Sequence, residues 1–359
     1  MKIVQIPTKY ATKIRNILKA ENFSDEQIKL MLKGYTVRDD YDRQNLIEND
    51  DDDIHSFLER IPSRVEEQKH FITTRPYLKK QLGKLNEILR RSKVFIGEAK
   101  SLTAYSGSDN IDILYIKRVD NNYSKYMDKI QHELLLDIII KLRDCNVNLK
   151  EKKFADAISF AQKLNPLDER SFQKLKLYLK SQKLERLYLG AFEPFLRKIA
   201  SFYNQQLAIR KIDNALKNTI CFNTVVYRGV PKYFVENILD GDDNYYELIG
   251  QKIEEKGYLS TSLTFLSSFA KDISNCCFKI YVPKGSEGLD ITPFSVNRQE
   301  YELLLNSCDL YILDYYNDTS GIYDGTKTRI SNKPTFVALL LSKNRECYKD
   351  IANKENENE

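Results

Sequence analysis

Apolar positions recur at helical spacing through residues 11–33, where Ser24 stands ready to cap a second segment, SDEQIKLMLKG, and Gly34 closes it. The same periodicity returns over Pro76–Ser92 and Lys129–Arg143, whereas Ile111–Arg118 (IDILYIKR) has the apolar, β-branched content of a strand. Asp39–Asp53 is acidic; carboxylates so crowded repel one another and have little to bury, which predicts a solvated loop. Residues 1–150 therefore read as a mostly helical module without a chemical constellation.

From Asn165 the pattern changes. Two helical stretches, Leu167–Leu189 and Phe192–Lys217, lead into short runs rich in Val, Ile, Tyr and Phe: NTVVYRGV, KGYLSTSL, CCFKIYVP, EYELLL, LYILDYY and PTFVALLL, separated by Gly, Pro, Asn and Asp. Helices followed by a series of strands predict an α+β fold, with antiparallel β-sheets packed on one another and helices at their flanks. The expected division is a helical module over 1–150, a second domain over 155–345 and a polar tail over 346–359 that ends IANKENENE.

Composition narrows the function classes. Charged residues make up 30% and apolar residues 42% of the 359, with 13 Gly and 9 Pro, which excludes collagen-like and low-complexity chains. Lys and Arg outnumber Asp and Glu by 56 to 51, and no local basic patch concentrates that excess, so neither nucleic acid nor a membrane surface is indicated as a partner. The longest apolar run without a charge, Pro334–Ser342, is far short of the ~20 residues that span a bilayer. Lys9, Lys13 and Arg15 occupy the place where a secretory signal has its apolar centre, so no such signal is expected. The six cysteines lack CxxC spacing and read as reduced packing residues. His55, His70 and His132 are the only histidines, which removes histidine triads and zinc hydrolysis from the chain beyond them. Chemistry there falls to Arg, Ser, Thr, Glu and Tyr, with no metal expected.

Three groups stand in order on the predicted strands: Arg228 in VVYRGV, Ser260-Thr261-Ser262 in GYLSTSL, and Glu300-Tyr301-Glu302 in RQEYELLL. Singly, each has an ordinary structural reading as an ion pair, a hydroxyl ladder or solvated charge. Their flanks add to the pattern: Val225 and Val226 precede the Arg, Gly257 and Tyr258 precede the STS, and Leu303-Leu304-Leu305 follow the second Glu. Together they resemble the mono-ADP-ribosyltransferases of the exoenzyme type that includes the actin-modifying binary toxins, whose signature is Arg, then Ser-Thr-Ser, then Glu-x-Glu. The resemblance covers residues 155–345 and extends to Gly288-Leu289-Asp290-Ile291, Ser295 and the closing strand Thr335–Leu341.

The resemblance implies an ADP-ribosyltransferase catalytic domain over 155–345 with NAD as its substrate. It implies that Arg228 and Gly229, the hydroxyls of Ser260, Thr261 and Ser262, and Phe269 and Lys271 bind NAD. Ser260 would hold the catalytic carboxylate, Glu302 would be indispensable, and Glu300 would serve transfer to an acceptor arginine, since Gln at that position goes with asparagine. The implied partner is a host protein bearing that arginine, reached as a toxin or effector delivered into or expressed inside the host cell. Residues 1–150 would then serve delivery or docking.

The residues also make chemical sense unaided. Cleaving the bond between nicotinamide and ribose gives an oxocarbenium-like transition state, which a nearby carboxylate such as Glu302 stabilises. Alternation along a strand predicts that Glu300 and Glu302 point to one side, so that coupling raises the pKa of one of them. The guanidinium of Arg228 offers a planar fork for a pyrophosphate or ribose. Two positions depart from the family pattern. Phe265 and Phe269 are followed only by Lys271, a point charge where an Arg is usual, and Asn297 stands where many members carry an aromatic, the nearest being Phe294. An NAD glycohydrolase with water as acceptor and an inactive binding protein on the same fold are the open alternatives.

Overall fold

Val225 and Tyr227 of one strand bury into one apolar cluster while Val226 buries into another, so alternation alone gives this strand two covered faces. It is β3, Thr224–Val230, in a computed structural model that describes residues 2–38, 54–107, 117, 123–144, 148, 150–231, 244–265, 276–316 and 334–351. Ten strands of one hydrogen-bonded sheet lie among these residues. They are β1 (Lys2–Val4), β2 (Tyr35–Val37), β3, β4 (Lys252–Glu255), β5 (Leu259–Ser262), β6 (Cys276–Val282), β7 (Gly288–Asp290), β8 (Glu302–Leu305), β9 (Cys308–Tyr316) and β10 (Thr335–Ser342). The order is β4-β9-β10-β6-β3-β5-β8-β7, and β2, paired with β1, joins β3 where Thr36 faces Thr224.

The class is α+β, as expected, and the sheet is mixed: β10 lies parallel to β6, and β2 parallel to β3. β10 can run parallel to β6 because β7, β8 and β9 intervene in the chain, which gives the length that a parallel return needs. The predicted strands at 223–230, 276–283, 310–316 and 334–341 form close to those limits, while β1, β2 and β4 escaped the pattern. The strand expected over Ile111–Arg118 and the loop over Asp39–Asp53 lie outside the described residues.

The chain does not divide at residues 150–155. One compact unit comprises Met1–Ile111 with Lys211–Glu359, and the other Asp112–Arg210. In the first, helices α1 (Thr8–Ala20) and α2 (Asp25–Leu32) lay Tyr10, Ile14, Leu18 and Met31 against Val225, Tyr227 and Tyr281. Helical periodicity announces a buried stripe without saying what covers it, and here the cover is the sheet. Ser24 caps α2 as expected, in a capping box with Gln27, and Gly34 follows with φ +39°. The expected polar tail begins later than residue 346, because Tyr348 and Ile351 are buried beside the same cluster and the Tyr348 hydroxyl accepts from the Ser342 amide. Four more α-helices lie among the described residues of Met1–Ile111: α3 (Ile54–Arg60), α4 (Val65–Thr74), α5 (Lys79–Ser92) and α6 (Ile96–Tyr105).

The second unit is helical. α7 (Tyr123–Asp144), α8 (Lys152–Gln162), α9 (Glu169–Ser181) and the start of α10 (Glu193–Ala215) enclose Leu142, Phe154, Phe172, Leu175 and Phe192. The helix expected over Leu167–Leu189 stops at Ser181, since Lys183 takes a left-handed conformation with φ 58°. The chain resumes as a π-helical turn at Tyr188–Phe192.

Candidate active site

Strands β5 and β8 run antiparallel in a register that sets Ser262 opposite Glu302 and Ser260 opposite Leu304, and β3 sets Tyr227 opposite Ser262. Glu302 is thereby the first residue of a strand whose four side chains are all buried, and it retains 5% exposure. Burial is the main reason that its pKa rises from 4.5 to about 7. A hydrogen bond from the Ser260 hydroxyl works against that rise, the Glu300 carboxylate adds to it, Arg228 opposes it and Asp290 adds to it. Arg228, half-buried on β3, donates from Nη1 to the Ser260 carbonyl at 2.8 Å, so the cation is fastened to the residue that bonds Glu302. Ser260, Arg228 and Glu302 thus come together from three adjacent strands.

The other hydroxyls of the STS are occupied differently. Thr261 is 4% exposed and donates to the Leu303 carbonyl at 2.7 Å, locking β5 to β8. Ser262 donates to the Glu300 carbonyl at 2.6 Å and accepts from the Thr264 amide. Gly229 is half-buried opposite Cys277. Phe269 and Lys271 lie outside the described residues.

Glu300 is not on the strand. It ends a 3-10 turn, Arg298–Glu300, and Tyr301 follows in the left-handed region with φ 46° and ψ 52°. Alternation therefore does not set the spacing of the two carboxylates. The turn and a reversed backbone do, and they leave Glu300 half-buried with a pKa raised by that burial. Its charge still registers at Glu302.

The loop before this turn is fixed from a region that the sequence left without a role. On α6 the Thr103 hydroxyl donates to the Phe294 carbonyl at 2.9 Å, and just past that helix the Ser106 hydroxyl accepts from the Val296 amide at 3.0 Å. Nothing in the periodicity of α6 signals this, because both bonds reach across almost two hundred residues of sequence. Phe294 is fully buried, and Val296 keeps 42% exposure next to Asn297. Asp290, at the edge strand β7, stands 3.8 Å from Arg38 and contributes negative charge near Glu302.

A buried carboxylate held by a hydroxyl, a guanidinium whose charge reaches it and a second carboxylate on a turn can stabilise a developing cation and take a proton from an incoming nucleophile. Among the described residues, no cluster of His, Cys, Asp or Glu could hold a metal ion. No helix among them is long and apolar enough to cross a membrane. The described cysteines, Cys221, Cys276, Cys277, Cys308 and Cys347, are free thiols.

The family model described as ADP-ribosyltransferase exoenzyme matches residues 147–333, just over half of the chain, and spans Arg228, the STS and both carboxylates. Among solved structures, the chain is similar to BECa, an ADP-ribosylating toxin of a binary enterotoxin of C. perfringens, at 21% identity over 39% of this chain and 36% of that one, TM-score 0.30. It is similar to the Clostridium limosum C3 exoenzyme at 21% identity over 39% of this chain and 70% of that one, TM-score 0.31. The ADP-ribosyltransferase toxin Plx2a of Paenibacillus larvae gives 19% identity over 59% of this chain and 96% of that one, TM-score 0.30. No curated protein matches.

Proposed function

Because the chain belongs to the ADP-ribosyltransferase exoenzyme family, whose substrate is NAD, we propose that it transfers a single ADP-ribose from NAD to an arginine side chain of a host protein, as a toxin or effector. The observation that carries this reading is Glu302: a buried carboxyl bonded by Ser260, with the charges of Arg228 and Glu300 both felt at it. A carboxyl poised near neutrality responds strongly to a cation, and the nicotinamide ring of NAD is one; its approach favours the ionised form of Glu302. In the reaction the bond from ribose C1′ to the nicotinamide nitrogen breaks, and its electron pair leaves with the ring. The Glu302 carboxylate stabilises the positive charge left on the ribose. A guanidinium nitrogen of the acceptor then bonds to C1′, and its proton passes to Glu300. Arg228 supports the pyrophosphate with a forked pair of donors.

The arginine specificity rests on Glu, rather than Gln, at position 300. It is tested by incubating the protein with labelled NAD and a host lysate and mapping the modified side chain. Label on arginine supports the reading. Label on asparagine overturns the acceptor, free ADP-ribose without labelled protein makes the protein a glycohydrolase, and no turnover of NAD makes it a binding protein.

A further inference from the structure

A tyrosine with φ 46° is unusual, since the left-handed region crowds its Cβ against the following carbonyl. Such a conformation persists only where its surroundings over-determine it. At Tyr301 they do. The side chain is 2% exposed within the cluster that holds Leu263, Leu303 and Leu305. Its carbonyl accepts from the Leu263 amide at 2.9 Å and its amide donates to the Arg298 carbonyl at 3.2 Å. The ring is thus sunk in the core beneath the β5–β8 ladder, and the peptide on either side of it carries one of the two carboxylates.

The supports of those carboxylates differ. Glu302 is fixed by the ladder and by Ser260, neither of which needs residue 301 to be aromatic. Glu300 closes a turn held upstream by Thr103 and Ser106, through Phe294 and Val296, and by Ser262 at its own carbonyl. Residue 301 joins the two supports, and its buried ring restrains rotation of the backbone there. We propose that Tyr301 is a positioning residue: its buried ring and left-handed backbone set where the Glu300 carboxyl stands relative to Glu302, and so decide whether a ribosyl cation is captured by the protein acceptor or by water. This rests on the transferase reading and adds to it the element that governs partition between the two outcomes. A misplacement of about 1 Å is enough to cost on the order of 10²-fold in rate.

The test replaces Tyr301 while leaving both carboxylates in place. Tyr301→Gly accepts the left-handed backbone freely but releases the turn from the core. It should keep NAD affinity and nicotinamide release while labelling of the acceptor protein falls by roughly 10²-fold. Tyr301→Phe, which retains the ring, should keep the wild-type ratio of labelling to release. If Tyr301→Gly does not yield folded protein, Tyr301→Leu tests the same loss of the ring with an apolar side chain kept in the core. Equal loss of labelling and release, in step with weakened NAD binding, would show that the ring serves only the fold and would overturn the proposal. An unchanged ratio in a folded Tyr301→Gly protein would overturn it too. Wild-type protein that labels no acceptor would instead sink the transferase reading itself, a result visible before any Tyr301 variant is made.

Discussion

Glu302 and Glu300, two residues apart in sequence, are held by different means. Glu302 stands on the rung that pairs it with Ser262 across β5 and β8 and is sealed by burial; its position is that of the sheet. Glu300 stands on a three-residue turn, half-buried, and its position is that of a short loop fastened at a few points. A carboxylate that must face a developing charge benefits from a site that cannot reorganise. One that must meet a second macromolecule has to be reachable from solvent. The contrast fits the proposed division of labour, with bond cleavage on the sheet and acceptor chemistry on the turn.

The largest expected effect separates the sheet side from everything else. Glu302→Gln keeps the size of the side chain and removes its charge, and nicotinamide release should fall on the order of 10² to 10³-fold. Turnover close to wild type in this variant would remove the catalytic centre from the sheet. The same substitution should stabilise the protein in the absence of NAD. The folded chain holds the Glu302 proton up to about pH 7, whereas an unfolded chain gives it up near 4.5, so the folded state binds more protons within that window and loses stability as pH rises through it. Unfolding at pH 8 should find Glu302→Gln more stable than wild type by roughly 3 kcal/mol, with the difference closing below about pH 4.5. A difference independent of pH would mean that Glu302 is not the group responsible.

Arg228→Lys keeps a charge but loses the fork, and NAD affinity measured by calorimetry should weaken by roughly 1–3 kcal/mol. Unchanged affinity with a lower melting temperature would reduce Arg228 to a strand fastener for Ser260. The smallest effect belongs to Ser260→Ala. Its hydroxyl lowers the proton affinity of Glu302, so its loss should move the rise of kcat/KM to a pH above about 7, with a deficit of about 1 kcal/mol near neutrality that shrinks in alkaline solution. A deficit equal at all pH values would show that Ser260 acts elsewhere.

Much of the sheet side is legible in the sequence. Strands with near-continuous apolar runs, such as CCFKIYVP, interrupted only by Lys279, and PTFVALLL, announce themselves because both faces are covered. The order Arg228, Ser260, Glu302 survives into three adjacent strands. The turn side is not legible. Glu300-Tyr301-Glu302 looks like alternation in a strand, and nothing in the letters shows that residue 301 reverses its backbone; that follows from Leu263 and Arg298, which bind its peptide groups. Thr103 and Ser106 are equally invisible, as polar residues on an ordinary helical pattern whose partners arise only from the fold. The short strands β1 and β2 escaped because three residues give no period to read, and with them went any sign that the N-terminal helices belong to the sheet.

The division between sheet and turn is tested by one variant measured in one reaction. Glu300→Gln, incubated with NAD and an acceptor lysate, is followed for nicotinamide release and for labelled protein in the same samples. The predicted result is release near the wild-type rate with protein labelling lost, because Glu302 still opens the glycosidic bond and water takes the place of the acceptor. A fall of both in equal proportion would contradict it, and would make the two carboxylates a single catalytic unit despite their different supports.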